Sequence, residues 1–119
     1  MKKILFTILM ILTLVGYGQA ASVTLTWDAP TTNADGTPLS NFAGGYKIYI
    51  GAATGSYTAT RSVTDTGATV TIPVTGLLND TLYYFVVTAV NTLGNESGYS
   101  NEVSKRTDKL IPGTPKLLR

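Results

Sequence analysis

Along most of this chain apolar and polar residues alternate with a period of two, the spacing of strands with one buried face. "SVTLTW" sets Val23, Leu25 and Trp27 against Thr24 and Thr26, and "GYKIYIG" sets Tyr46, Ile48 and Ile50 against Lys47 and Tyr49. "SYTATRSV" (residues 56–63) alternates weakly and predicts a short strand. "ATVTIPV" puts Val70, Ile72 and Val74 inward, with Pro73 marking a sheet edge or a bulge because proline cannot donate to a ladder. In "LYYFVVTAVN" (residues 82–91) both faces are oily: Tyr83, Phe85, Val87 and Ala89 on one, Tyr84, Val86, Thr88 and Val90 on the other. "SNEVSKRT" (residues 100–107) closes the series. Turns rich in Gly, Asn, Asp and Pro separate the runs, and no stretch after Ala21 repeats at helical spacing. Short strands at this spacing predict an all-β sandwich or barrel.

The ends depart from the pattern. Lys2 and Lys3 precede an apolar run over residues 4–15, and "GYGQA" follows with Gly18 and Ala20 at the −3 and −1 positions of a cut. That is the layout of a secretory signal peptide. The run is shorter than the roughly 20 residues of a membrane helix. Residues 1–20 are therefore expected to act as an export signal, leaving a chain that starts at Ala21 or Ser22, has no membrane span, and is secreted, periplasmic or at the cell surface. Residues 22–107 would form one domain. Residues 108–119, with Pro112 and Pro115, read as an extended tail.

Charge and composition narrow the chemistry. Nine basic residues face seven acidic ones, and without Lys2 and Lys3 the side chains balance. A neutral domain offers nucleic acid no electrostatic footprint. With no Cys and no His, there is no thiol nucleophile, no thiolate metal site and no imidazole base. The domain must hold by packing without disulfides.

Several residues together carry a resemblance. Trp27 ends the first run and is followed by "DAP"; "GYKIYIG" is a Tyr-x-aliphatic pattern; "GLLNDTLYYFVVTAVN" supplies Leu77, Thr81, Tyr83, Val87, Ala89 and Asn91; "GNESGYSNEVSKRT" completes the set. From Val23 to Thr107 the chain resembles a fibronectin type III domain, particularly the bacterial extracellular kind. The resemblance implies an immunoglobulin-like β-sandwich of six to seven antiparallel strands. Tyr83 would be its tyrosine corner, bonding backbone near Leu77, with Trp27, Tyr46, Ile48, Leu77, Phe85 and Val87 in the core. Trp27 would pack over Phe85. Only about six residues separate the expected cut from Trp27, so strand A is expected to be missing or minimal. Strand B would then be an open edge: covered by the tail, filled by a partner's strand, or tolerated bare.

Candidate chemistry is sparse. A paired-carboxylate hydrolase would need two of the acidic residues about 5–9.5 Å apart across a cleft. Asp28 or Asp35 could share a loop end with Glu96, yet no cleft is expected around them. "TNADGT" offers Asn33 and Asp35 but too few oxygen ligands for calcium, so a turn is expected there. Neither a metal nor a cofactor is implied. Asn79 and Asn95 head glycosylation sequons and are read as turn residues. Binding surfaces are more promising. Tyr49, Tyr84, Val86 and Val90 should share the outer face of one sheet, and Asn33, Asp35, Asn95 and Glu96 form a candidate loop surface. The expected function is an exported, non-enzymatic adhesion or scaffold module contacting protein or polysaccharide at a cell surface. The rival is a structural subunit of a surface or envelope assembly, a strand-exchange oligomer joined at the open B edge.

Overall fold

The computed structural model describes residues 11–17 and 20–118. These form β1 (Ile11–Tyr17), β2 (Ala20–Asp28), β3 (Gly45–Ala53), β4 (Ser56–Thr64), β5 (Thr69–Leu77), β6 (Leu82–Val90) and β7 (Val103–Arg106). One sheet has the order β1-β2-β5 and the other β4-β3-β6-β7, all antiparallel. Two such layers, each apolar on its inner side, make the immunoglobulin-like sandwich.

The alternation read from the sequence is what closes it. Val23, Leu25 and Trp27 of β2 and Val70 and Val74 of β5 face Tyr46, Ile48 and Ile50 of β3 and Phe85, Val87 and Ala89 of β6, and all are buried. Leu77 is buried too, while Tyr83 is only partly so and packs against the cluster. Its hydroxyl accepts the Leu78 N–H at 2.9 Å, the corner bond expected near Leu77. Trp27 meets Tyr46 edge-on, with ring centroids 5.2 Å apart, whereas Phe85 lies 6.2 Å from Tyr83. The aromatic partner of Trp27 is thus the tyrosine across the sandwich. Burial pushes the Tyr46 hydroxyl above its ordinary pKa, with the Trp27 indole a smaller opposing influence, although the two groups do not meet in hydrogen-bond geometry. Pro73 sits on β5, an edge strand, where a missing donor costs no ladder bond.

Strand A is not missing. β1 fills its place, pairing with β2 from Ile11↔Thr26 to Tyr17↔Ala20. Its residues are those the sequence reading assigned to the signal's apolar core, and aliphatic runs serve a leader or an edge strand equally well. Lys2, Lys3 and Gly18 of the leader pattern lie outside the described residues. Two further strands differ from expectation. β4 is as long as its neighbours, and the last strand is shorter, because β7 pairs with β6 only between Leu82 and Phe85.

Beyond Phe85, β6 is completed by serines in the connecting segment. The Val87 N–H donates to Ser100 Oγ at 2.8 Å while the Ser100 N–H returns a bond to the Val87 carbonyl at 2.9 Å. Ser97 does the same for Ala89, at 2.9 and 2.8 Å. Two hydroxyls stand in for ladder carbonyls, so the segment can leave the sheet plane without orphaning buried donors.

Candidate functional site: a tyrosine and carboxylate layer on the outer sheet face

The outer face of the four-stranded sheet is assembled row by row. Tyr49 lies opposite Val86 on one side and Thr60 on the other. In the next row Gly51 lies opposite Tyr84 and Tyr57. Tyr57 should not be there by simple alternation, because strict counting from Thr60 puts it on the inner face. The pairing slips between Ile50 and Gly51, and a slip of one residue moves every following side chain to the other face. Gly51 permits the slip: a Cβ there would stand 1.9 Å from the Ser56 carbonyl oxygen.

The segment between β6 and β7 lays a second layer on this face. Its serines fix the backbone, which positions Glu96, Tyr99 and Glu102. Tyr99 packs edge-to-face on Tyr49 and on Tyr57, with centroids 5.2 and 5.5 Å apart and planes at 64° and 81°. The residue stays 60% exposed. Glu96 accepts hydrogen bonds from the Tyr49 hydroxyl and from Thr88 Oγ1 at 2.9 Å, and Lys47 Nζ approaches its other oxygen at 3.6 Å. Glu102 accepts from the Tyr57 hydroxyl, from Thr54 Oγ1 at 2.7 Å and from the Gly55 N–H at 3.1 Å, clamping the β3–β4 turn.

Electrostatics follow from these contacts. Burial and the bonded carboxylates push Tyr49 and Tyr57 up to about 12. Burial raises the Glu96 carboxyl, but Tyr49, Thr88 and Lys47 outweigh it and hold it below its ordinary value. The Tyr57 hydroxyl, then Thr54 and Gly55, lower Glu102. These phenols stay protonated and these carboxylates ionised at neutral pH, so none of the four is poised as a general acid or base there.

The residues expected to form a site are dispersed. Tyr49, Val86 and Glu96 belong to the layer, but Val86 is 2% exposed and lies beneath it, so it cannot be a direct contact. Tyr84 stands one row along, half-buried. Val90, paired with Gly45 and bridged to Glu96, lines a recess of about 360 Å³ with Lys47. Asn33 and Asn95 meet at a small hollow of about 170 Å³. Asn33 is buried and spent on its own loop, donating to Thr37 Oγ1 at 3.1 Å and to the Pro38 carbonyl at 3.0 Å. Asp35 accepts the Thr37 N–H at 3.1 Å and its hydroxyl at 2.5 Å, a turn role. Tyr57, Tyr99 and Glu102 were not anticipated. The signal for the last two was in the "SGYSNE" stretch, whose polar residues alternate too irregularly to assign a face.

A cleft lies beside Asp28, one of the carboxylates considered from the sequence, but it does not pair Asp28 with Asp35 or Glu96. It measures about 620 Å³ and is lined by Asp28, Pro30, Phe42 and Asp65 among others. Asp28 is joined there by Asp65. Asp65 is committed to the Gly67 N–H at 2.8 Å.

Comparison with known proteins agrees with this architecture. Residues 13–106 match the fibronectin type III domain model. The chain is 39% identical over 98 residues to exoglucanase A of Cellulomonas fimi, covering 82% of this chain and 10% of that protein. It is 40% identical over 87 residues to chitinase A1 of Niallia circulans, covering 73% of this chain and 10% of the relative. Exoglucanase B of Cellulomonas fimi is 38% identical over 102 residues, covering 81% and 8%. The chain thus spans about a tenth of each relative's length. With the family model matched along most of its length and the sandwich complete in space, the chain belongs to the fibronectin type III family.

Proposed function

We propose that the domain is an exported, non-catalytic contact module that holds a polysaccharide chain on the outer face of its four-stranded sheet. The observation that carries this reading is the exposed Tyr99 ring, backed by Tyr49 and Tyr57 and flanked by two ionised glutamates. An aromatic ring with an apolar face and nearby carboxylate acceptors suits a sugar, which offers C–H groups to the ring and hydroxyls to the oxygens. The likeness to an exoglucanase and a chitinase makes glucan and chitin the polymers to try first. The three rings are steeply inclined to one another, and of the three only Tyr99 is mostly exposed. That favours a single flexible chain over a flat crystalline surface, and modest affinity.

Electrophoresis of the protein through gels containing hydroxyethyl cellulose or glycol chitin tests the reading. Retardation that disappears in Tyr99→Ala supports it. Unretarded migration of the wild type in both polymers, or equal retardation of the variant, removes it.

A further inference from the structure

The outer edge of β2 is where the fold and the expected export signal compete for the same residues. β1 occupies that edge over seven residue pairs. At the centre of the pairing Leu12, Thr13 and Leu14 lie opposite Leu25, Thr24 and Val23. β2 itself carries nearly the same triplet, Val23-Thr24-Leu25. A second β2 laid antiparallel on the first, Thr24 against Thr24, would therefore put Val-Thr-Leu where β1 puts Leu-Thr-Leu. The edge is close to self-complementary.

We propose that, in a chain cut between Ala20 and Ala21, the outer edge of β2 pairs antiparallel with the same edge of a second copy, joining two sandwiches through one continuous sheet. The two-fold arrangement is isologous and closes on itself. It satisfies the row of N–H and C=O groups that loss of β1 would bare. Charge fits as well. In this register Ala21 falls opposite Trp27 of the other copy, so the new α-ammonium group lies beside Asp28, an exposed carboxylate, once on each side of the two-fold axis. Loss of Lys2 and Lys3 also leaves the side chains in balance, so two copies meet without net repulsion. The tail is a poorer occupant. Pro112 and Pro115 are three apart and point their missing donors to opposite sides, so one always falls on the acceptor edge. This inference is independent of the polysaccharide reading, since it uses the other sheet.

The absence of native cysteine makes the test clean. The full-length gene, wild type and Thr24→Cys, would be expressed with export and the exported protein recovered. Intact mass reads the N-terminus, light scattering the oligomer, and a non-reducing gel the cross-link. The expected result is a start at Ala21, a doubled particle mass for the wild type, and a disulfide-linked dimer for Thr24→Cys. Directly opposed antiparallel residues lie within disulfide reach. Thr26→Cys, whose partner would be Ser22, should cross-link far less. An exported chain that retains Ile11–Tyr17 overturns the proposal, as does a monomeric wild type or equal cross-linking of the two variants.

Discussion

The two faces of β6 reach the same degree of burial by different means. On the inner face Phe85, Val87 and Ala89 are sealed by the opposite sheet. On the outer face Val86 and Thr88 are 2% and 1% exposed, as deeply buried as the core, yet no sheet covers them. Tyrosines and a loop held by two serines do so instead. The inner seal is apolar area removed from water and is insensitive to pH near neutrality. The outer seal is a set of phenol–carboxylate hydrogen bonds, which respond to protonation. An oily strand face therefore does not by itself mark an open binding surface.

The inner seal should break hardest. Trp27→Ala removes the largest fully buried side chain, at the centre of the core. A loss of about 3–5 kcal/mol is expected from urea unfolding, through lost transfer energy and the residual cavity. That is a large part of a small domain's stability. A loss below about 1 kcal/mol would mean the core closes around the gap and the two faces differ less in their seals.

The outer seal depends next on its anchoring serines. Ser97→Ala and Ser100→Ala each strip the acceptor from a backbone N–H, at Ala89 and Val87. Each should cost about 1–3 kcal/mol, the penalty of a buried donor left unpaired. Hydrogen exchange should accelerate at those two amides before it does so at Phe85. If the amides stay protected, the segment is held by its apolar packing and the hydroxyls are incidental.

Legibility in the sequence follows the same division. The inner face was legible because a period of two and a corner tyrosine are local signals, and Trp27, Ile48, Phe85 and Val87 all fell where the alternation put them. The outer layer was only half legible. Tyr49 could be placed by counting along its strand, but Tyr57 reaches its face through a slip at Gly51 that no counting along the sequence reveals. Glu96 and Tyr99, which add the second layer to this face, come from a segment without periodicity. β1 was hidden for a different reason: aliphatic residues flanked by lysines upstream and small residues downstream fit a leader as well as a strand, and pairing with β2 is visible only in three dimensions.

Protonation gives a smaller effect that separates the faces directly. Glu96 and Glu102 titrate below the ordinary glutamate value in the folded chain. Their stabilisation is therefore complete above about pH 4.3, the unfolded value, and is lost as pH falls through the lower folded-state values. Tyr49 and Tyr57 act oppositely, their pKa raised from 10.0 to about 12, so their contribution is whole below 10 and is lost as pH rises toward 12. Urea midpoints should fall on both limbs. In the double variant Glu96→Gln, Glu102→Gln the acid limb should flatten, while in Trp27→Ala its shape should be unchanged. An acid limb that survives the double variant would assign it to other carboxylates.

The smallest effect on stability should come from Tyr99→Ala, and it is the most informative about function. The ring is mostly exposed and its hydroxyl is not what ties Glu96 or Glu102, so removing it forfeits only two edge-to-face contacts. Such pairs contribute about 0.5–1.5 kcal/mol each when fully packed, and less at the surface. The unfolding free energy from urea titration should fall by under about 1 kcal/mol. The bonds from Tyr49 and Tyr57 to their glutamates should persist, keeping the alkaline limb in place. If the midpoint instead falls as far as in the serine variants, Tyr99 is a structural lid over Val86 and its exposure is incidental. If stability holds and retardation in polysaccharide gels is lost, the residue that least supports the fold is the one exposed for contact, and the outer face is a surface maintained for its partner.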